Sequence, residues 1–336
     1  MKAAHADRYG PPEVVSIREV EKPAPEADQV LVRVHAASVN RGDLDGLKPK
    51  PGFVRLFMGL RAPRNHEVGI DAAGVVEAIG PDVTRFKPGD EVMTDLFAAG
   101  RFGAFAEYVC AREKAFEPIP AGMSFEEAAT LPHSAVLALQ GMRLRSGRTF
   151  KPGDRVLIDG ASGNVGPFAV QIAKALGAEV TGVASGDKLE FVRSLGADHV
   201  IDYRTVDYTK TGERYDWIVA VDAHHPIRAA RRALKPNGVY VTMGGTTGTI
   251  FSALGGALLS RFSDKWSGLL IWWKPMNRPD IETLKRLIAE GKLKPVIDRR
   301  YRLDEIVGAL RWVEDGHARG KVIITMNAAD PPVADA

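Results

Sequence analysis

The chain has a single cysteine, Cys110, among its 336 residues. One thiol excludes an intramolecular disulfide and any structural zinc site built from several cysteines. A strong charge of one sign is also missing, because 45 basic residues stand against 42 acidic ones and give a formal net charge of +3. The basic residues are scattered along the chain, which argues against a nucleic-acid-binding surface.

Long hydrophobic runs are missing as well. Residues 250–273 are rich in Leu, Gly and Trp, but Arg261, Asp264 and Lys265 interrupt them, which excludes a membrane-spanning helix there. We expect a loop and an edge strand at a subunit interface; the alternative is a membrane-contacting surface. The first residues have no apolar signal core, so a cytoplasmic location is the expectation.

Residues 155–183 predict a strand, a glycine-rich turn, a helix and a second strand. The turn holds Gly160, Gly163 and Gly166 at a spacing of three. Glycines suit this place because the backbone must approach a pyrophosphate closely at the positive end of the helix. The combination predicts a dinucleotide-binding unit; the alternative is an incidental glycine-rich turn.

The end of the second strand indicates which dinucleotide binds. Sites for NAD usually carry an acidic residue about 20 positions after the turn, which holds the ribose 2′-hydroxyl. Here Ser185 offers a hydroxyl and Lys188 a cation, a pair suited to a 2′-phosphate. Asp187 between them is a complication, because its side chain could point either way in a short loop. We expect NADPH; the alternative is that Lys188 is simply solvated.

The periodicity divides the chain into three parts. Residues 1–120 are strand-rich with frequent turn signals, residues 121–274 alternate helices with buried strands, and residues 275–336 are too short to fold alone. The fold class is therefore α/β, with a doubly wound parallel sheet inserted into a β-rich domain. Ser124 and Glu127 predict a capping box at the start of a helix.

Several motifs together resemble one family along nearly the whole chain. They are Ser38-Val-Asn40 with Asp43, the segments 69–76 and 80–92, the strand 103–109, and the segments 195–203 and 316–324. The chain resembles the medium-chain dehydrogenases/reductases, in their zinc-independent quinone oxidoreductase (zeta-crystallin-like) branch. The resemblance implies a Rossmann NADP-binding domain at 121–274 and a GroES-like substrate domain formed by 1–120 and 275–336. It also implies a homodimer in which an edge strand continues the sheet across a two-fold axis.

The resemblance also bears on metal. Zinc-dependent relatives carry a cysteine where this chain has Asn40, and a His-Glu pair where it has Ile70 and Asp71. His133 falls near their third ligand position. Because a catalytic zinc normally needs three protein ligands from Cys, His or carboxylate, we expect no metal.

Two residues are candidates for the catalytic side. The amide of Asn40 could donate to a substrate carbonyl, and we expect Asp43 to brace its loop. His133 could orient a carbonyl or deliver a proton near neutral pH; the alternative is a packed histidine bonded to backbone. For His224 and His225 the alternatives are a place at the cofactor edge and a polar surface turn.

The resemblance implies a larger set of cofactor-binding residues, each following a predicted strand. They are Gly160, Ser162, Gly163, Asn164, Val165 and Gly166 at the pyrophosphate, Ser185 and Lys188 at the 2′-phosphate, Tyr203 beside the adenosine, and Met243, Gly244 and Gly245 at the nicotinamide. Arg319 and Lys321 are further candidates to reach the cofactor.

The expected function is zinc-independent hydride transfer from NADPH to a quinone or an activated alkene such as an enone or enal. Without zinc no strong Lewis acid polarises a simple ketone, which favours conjugated acceptors. The alternatives are a zinc-free NAD(P)-dependent alcohol dehydrogenase, and an NADPH-binding protein with little turnover. A small-molecule substrate is the expected partner in each enzymatic case.

Overall fold

The computed structural model describes residues 1–49, 52, 55–143, 150–245, 247–260, 263–270 and 273–326. Residue contacts divide the chain into two compact units. The first comprises Met1–Ser134, Lys274–Ile281 and the chain from Pro295 onward; the second comprises Ala135–Trp273 and Glu282–Lys294. The boundaries that the sequence suggests, near 120 and 274, stay predictions.

The first unit is built mostly on antiparallel strand pairing, with one parallel pair among its described strands. Its strands are β1 (Lys2–Ala6), β2 (Val15–Glu19), β3 (Gln29–Val39), β4 (Asp71–Ile79), β5 (Glu91–Asp95), β6 (Tyr108–Arg112), β7 (Phe116–Pro118), β14 (Ile297–Arg302) and β15 (Lys321–Thr325). Seven of them form one sheet in the order β14-β15-β3-β4-β5-β7, with β6 also paired to β3, while β1 and β2 pair separately. Val30, Val32 and Val34 alternate along β3 and are buried, so the inner face of the sheet forms the core.

Short helices accompany this sheet. They are α1 (Arg41–Leu47), α2 (Arg55–Met58), α3 (Phe125–Ala129) and α10 (Ile306–Glu314). The predicted capping box is confirmed at α3, where the Ser124 hydroxyl accepts from the Glu127 N–H and the Glu127 carboxylate accepts from the Ser124 N–H. Two helices, α4 (Ser134–Gly141) and α9 (Arg278–Ala289), cross the division between the units.

The second unit contains a six-stranded sheet in which every pairing is parallel. Its strands are β8 (Arg155–Asp159), β9 (Glu179–Ala184), β10 (His199–Asp202), β11 (Tyr215–Ala220), β12 (Leu234–Thr242) and β13 (Trp266–Leu269), in the order β10-β9-β8-β11-β12-β13. Its helices include α5 (Gly166–Ala175), α6 (Leu189–Ser194), α7 (Ile227–Arg232) and α8 (Thr247–Leu259). The predicted doubly wound sheet is confirmed. Because all strands run one way, their carboxyl ends meet at one edge.

The segment 250–273 differs from its prediction. Residues 250–259 belong to α8 and not to a loop, and the edge strand β13 follows. Within α8, Gly256 serves close packing, because a Cβ there would lie 2.2 Å from Ile227 Cδ1. Ile271 and Trp272, predicted at the edge, lie outside the described residues. Among the described helices, none is long and apolar enough to cross a membrane.

Candidate active site

The predicted cofactor-binding residues lie at the carboxyl edge of the parallel sheet. The glycine-rich turn follows β8, Ser185 and Lys188 follow β9, Tyr203 follows β10, and Met243 follows β12. The pairing order places β8, β9 and β10 side by side, with β11 between β8 and β12. Four predicted groups, separated by up to 85 residues in sequence (160 to 245), thus share one edge.

The turn after β8 has the geometry of a phosphate cradle. Gly160 has a left-handed φ of +87°, and a Cβ at Gly166 would lie 2.2 Å from the Gly160 carbonyl oxygen. No side chain fits at Gly166, so the first turn of α5 packs directly on the loop. Its N-cap residue is Val165, whose apolar side chain makes no capping hydrogen bond. Backbone N–H groups at the positive end of a helix suit an anion, so these residues fit a dinucleotide pyrophosphate.

The loop after β9 arranges its charges around Asp187. The Ser185 hydroxyl hydrogen-bonds to this carboxylate and, more than any other contact, holds its pKa below the ordinary value. Arg204 Nη1 lies 3.4 Å from Asp187 Oδ1. Lys188 is only 6% exposed, so the alternative that it is simply solvated is wrong. The sequence reasoning missed Arg204, although it directly follows Tyr203.

The segment after β12 contains a position, Gly245, at which no side chain fits. The Met243 N–H donates to the Ala220 carbonyl at 2.9 Å, which continues the ladder between β12 and β11. Gly245 then has a φ of +138°, and a Cβ there would lie 2.4 Å from the Ala223 carbonyl oxygen. This backbone passes the end of β11 too closely for any side chain. The place of Met243, Gly244 and Gly245 at the edge is compatible with the predicted nicotinamide contact.

The first unit holds a separate group of buried polar side chains, here called the Asn40 cluster. Strand pairing assembles it, because β3 pairs Ser38 with Asp71 and β4 pairs Asp71 with Asp95. The chain adds further members from the start of α1, from the segment after α3 and from the first residue of β15. The cluster consists of Asn40, Asp43, Asp71, Asp95, His133, Ser134 and Lys321.

The amide of Asn40 is fully engaged inside this cluster. Its Oδ1 accepts from Lys321 Nζ at 2.6 Å and from Ser134 Oγ at 3.2 Å. Its Nδ2 donates to Asp71 Oδ2 at 3.0 Å and to the Ser38 carbonyl at 3.3 Å. Both amide hydrogens therefore have acceptors, so the expected donation to a substrate carbonyl does not fit this geometry.

The contacts within the Asn40 cluster bear on two further expectations, those for Asp43 and Lys321. Asp43 braces the loop as expected, because its Oδ2 accepts from the Asn40 N–H at 2.7 Å in a capping box for α1. Lys321 does not extend to a cofactor: it is 0% exposed and also donates to Ser134 Oγ at 3.1 Å. Burial lowers the pKa of Lys321, and the Asp71 carboxylate opposes that effect.

His133 pairs with a carboxylate. Its Nδ1 lies 3.1 Å from Asp95 Oδ2, and its side chain is 14% exposed. Burial alone would lower its pKa, but the hydrogen bond to Asp95 and the charges of Asp95 and Asp71 outweigh burial, so the pKa lies above the ordinary value. The alternative of a histidine ring bonded to backbone therefore does not describe its Nδ1 contact.

The charges of the cluster compensate one another. Burial raises the pKa of Asp43 to about 8 and that of Asp71 to about 7.

Ligand atoms of Asp71, Asp95 and His133 lie within 4.8 Å of one another, a spacing that a metal ion could use. However, Asp95 already holds His133 Nδ1, and Lys321 Nζ lies 3.8 Å from Asp71 Oδ2, so an added cation would face a buried ammonium.

The sequence reasoning missed Asp95, Ser134 and the true place of Lys321. A signal was present for Lys321, because it begins an apolar strand; Asp95 ends a strand that is largely buried. A charged residue in such a position needs a buried partner. The partner lies on another strand, however, and only the pairing register reveals it.

Comparison with known proteins gives the same picture. The family model for the alcohol dehydrogenase GroES-like domain matches residues 26–121, and the model for zinc-binding dehydrogenase matches residues 195–324. The NAD(P)H oxidoreductase RTN4IP1, mitochondrial, of Homo sapiens is 32% identical, over 97% of this chain and 89% of that protein. The 2-methylene-furan-3-one reductase of Solanum lycopersicum is 32% identical, over 96% of this chain and 79% of that protein.

A solved structure extends this likeness to the fold. The quinone oxidoreductase from Coxiella burnetii has a TM-score of 0.85 and 29% identity, covering 97% of this chain and 99% of its own. The GroES-like domain that the sequence predicts is thereby confirmed. The chain belongs to the medium-chain dehydrogenase/reductase superfamily, in the branch of the quinone oxidoreductases.

Proposed function

We propose that this protein is an NADPH-dependent oxidoreductase that reduces a quinone or an activated alkene such as an enone or enal. The observation that carries the proposal is the glycine turn, in which Gly166, the first residue of α5, packs directly on Gly160. The printed names of the relatives, a quinone oxidoreductase and a furanone reductase, support this class of acceptor. When bound, the nicotinamide supplies the hydride.

The choice of NADPH rests on the loop after β9. Lys188 is buried beside Ser185, and Arg204 offsets the charge of Asp187. A charge-assisted contact contributes roughly 1.5–3 kcal/mol, which corresponds to about a tenfold to hundredfold preference for a 2′-phosphate. NADPH should therefore bind at least about tenfold more tightly than NADH, and Lys188→Ala should remove most of the difference.

Independence from zinc is the second part of the proposal. It rests on Asn40 and Ile70, which stand where zinc-dependent relatives place a cysteine and a histidine. It rests also on Lys321, whose buried ammonium donates to Asn40 and lies 3.8 Å from Asp71 Oδ2. Without a Lewis acid the protein must rely on acceptors that are already polarised.

A panel experiment tests the proposal. NADPH and NADH oxidation would be followed with quinones, enones and simple ketones, and dissociation constants would be measured by fluorescence titration. We expect turnover with conjugated acceptors and little with simple ketones. Turnover of ketones or alcohols would favour a zinc-free alcohol dehydrogenase instead. Tight binding of NADPH without turnover of any acceptor would favour the binding protein.

Assembly and compartment stay predictions. Among the described residues β13 pairs only with β12, so it forms an edge of the sheet. Such an edge is usually covered, and a two-fold dimer would cover it. The names of relatives include mitochondrial and chloroplastic proteins, so the cytoplasmic location remains an expectation.

A further inference from the structure

Arginines and leucines are concentrated on one segment of the first unit, Arg55–Arg64, here called the basic turn. It lies within residues 46–66, which contain five lysines and arginines and no acidic residue, although the whole chain has 45 basic residues against 42 acidic ones. Leu56 and Leu60 are 58% and 67% exposed, more than any other large apolar residue that the structure describes. The basic turn therefore combines a local positive charge with uncovered apolar surface.

The backbone of the basic turn is fixed by several contacts. The Arg64 N–H donates to the Met58 carbonyl at 2.8 Å and closes the turn. Between them Gly59 has a φ of +120°, and a Cβ there would lie 2.0 Å from the Ala62 carbonyl oxygen. The Tyr9 hydroxyl donates to the Gly59 carbonyl at 2.8 Å and holds the turn against the first residues of the chain. The exposure of the leucines is thus a property of a defined backbone.

The arginines of the basic turn lie close together and are accessible. The guanidinium carbon of Arg55 lies 4.8 Å from the centroid of the Tyr9 ring. Burial raises the pKa of Tyr9, and the charges of Arg55 and Arg64 oppose that effect, so both guanidinium groups lie near this ring. Arg61 and Arg64 are exposed, and within the described part of the chain neither of them forms an ion pair. Their charge is therefore available to an external anion.

Further apolar side chains lie beside the basic turn. Met58 Cε and the ring of Phe102 lie 4.0 Å and 3.9 Å from the position that a Cβ would take at Gly46 in α1. The ring of Phe102 makes an edge contact with that of Phe97, at 6.4 Å between centroids, and Phe97 is 48% exposed. Apolar surface thus extends beyond the turn itself, whereas apolar residues scattered singly over a surface would need no partner.

We propose that the basic turn docks the protein on a membrane surface that contains anionic lipids. Such a surface fits both features, because its phosphates attract the guanidinium groups while the leucines enter the boundary between headgroups and acyl chains. A nucleic-acid backbone would use the charge but offers no apolar layer for Leu56 and Leu60. An acidic protein would need a complementary shape, whereas a lipid surface adapts to a short turn. The docking does not depend on the proposed activity, so either proposal can fail alone.

Cosedimentation of the full chain with vesicles tests the proposal. One set of vesicles contains phosphatidylglycerol and phosphatidylcholine in equal parts, and the other contains phosphatidylcholine alone. Binding to the anionic set should be at least about 25-fold tighter, since each arginine near such a surface contributes about fivefold. It should also weaken as the salt concentration rises, because salt screens exposed charges.

Two double variants separate the charge from the apolar contact. Arg61→Gln with Arg64→Gln should weaken binding to the anionic vesicles by about 25-fold. Leu56→Ser with Leu60→Ser should weaken it by about tenfold or more, because less apolar area is buried in the lipid. All four side chains are exposed, so the thermal midpoint of each double variant should change little, which shows that the fold is retained.

The matched control is Arg228→Gln with Arg232→Gln, which removes the same charge from exposed positions on α7, outside the basic turn. It should keep the affinity within about threefold, because only charges within about a Debye length of the lipid surface contribute. No binding, equal binding to both sets of vesicles, or an equal loss in this control would overturn the proposal. A loss in the arginine variant without any loss in the leucine variant would also overturn it, and would favour an acidic protein partner.

Discussion

The stability of the Asn40 cluster can be tested by replacing Lys321 with methionine. The ammonium of Lys321 is 0% exposed and donates to Asn40 and Ser134, with Asp71 at 3.8 Å. Removing one partner of such a buried arrangement costs about 3–5 kcal/mol, because the remaining charge stays buried without compensation. For Lys321→Met we expect a loss of about 3 kcal/mol in the free energy of unfolding, at the lower end of this range, because Asp71 can retain a proton and so lose its charge. That loss corresponds to a thermal midpoint lower by roughly 6–12 °C.

The loss should also depend on pH. Lys321 lowers the pKa of Asp71, which burial has raised to about 7, so Lys321→Met should raise that pKa further. Above pH 7 Asp71 is ionised in the folded unmodified protein, so its stability no longer falls through this group. The folded variant still holds the proton on Asp71, which the unfolded chain has lost. Its free energy of unfolding therefore keeps falling, by up to about 1.4 kcal/mol per pH unit. The deficit should therefore grow from pH 6 to pH 8.5.

Scanning calorimetry at several pH values measures this deficit. Lys87→Met is the matched control, because the Lys87 side chain is 79% exposed in an ion pair with Asp90. It should change the stability by less than about 1 kcal/mol at any pH. An equal midpoint for Lys321→Met and the unmodified chain, or a deficit that shrinks as pH rises, would refute the reasoning.

Further predictions concern the cradle, the carboxyl of Asp43, the metal and the assembly. Gly166→Ala should lower both the thermal midpoint and the NADPH affinity, because its Cβ would lie 2.2 Å from a backbone atom. At Gly163 the nearest atom to an added Cβ is 3.9 Å away, so Gly163→Ala should weaken NADPH binding without lowering the thermal midpoint. Equal midpoints for both variants in calorimetry would contradict the packing argument. Burial raises the pKa of Asp43 to about 8, so the folded chain holds a proton that the unfolded chain has lost, and stability should fall between about pH 4 and pH 8. Denaturant titrations of Asp43→Asn should show a flatter dependence, and an unchanged slope would count against it. Elemental analysis should find no stoichiometric zinc, and about one zinc per chain lost together with activity would overturn the metal-free proposal. Light scattering should give twice the chain mass of 36.4 kDa, and a monodisperse monomer at micromolar concentration would refute the dimer.

The parallel sheet could be predicted from the sequence because its signals are local. Val156, Leu157 and Ile158 form a continuous apolar run, and all three are fully buried, as a strand covered on both faces requires. The glycine turn follows at once and carries its own backbone requirement. Strand, turn and helix are neighbours in the chain, so their pattern is readable without knowledge of the remaining fold.

The Asn40 cluster could not be predicted because its contacts are distant in sequence. Lys321 reaches Asn40 across 281 positions, and only the register of β15 against β3 brings them together. We expected Lys321 to contact the cofactor and the Asn40 amide to donate to a substrate. Both expectations treated the side chains singly, whereas buried polar groups must satisfy one another.

The same limit applied to α8. The segment is rich in glycine, and glycine weakens an isolated helix by about 1 kcal/mol relative to alanine. Packing against Ile227 overrides that preference, because only a glycine permits the close approach at Gly256. Tertiary contact decided the conformation, and the sequence pattern alone did not contain it.

Transfer of a deuterium label tests the central claim most directly. The protein would be supplied with NADPH that carries deuterium at the nicotinamide C4 position, together with an enone, and the product would be analysed by NMR and mass spectrometry. We predict one deuterium at the β-carbon of the saturated ketone and a hydrogen from water at the α-carbon. Deuterium at the carbonyl carbon of an allylic alcohol, or a reduced product without any label, would contradict the account.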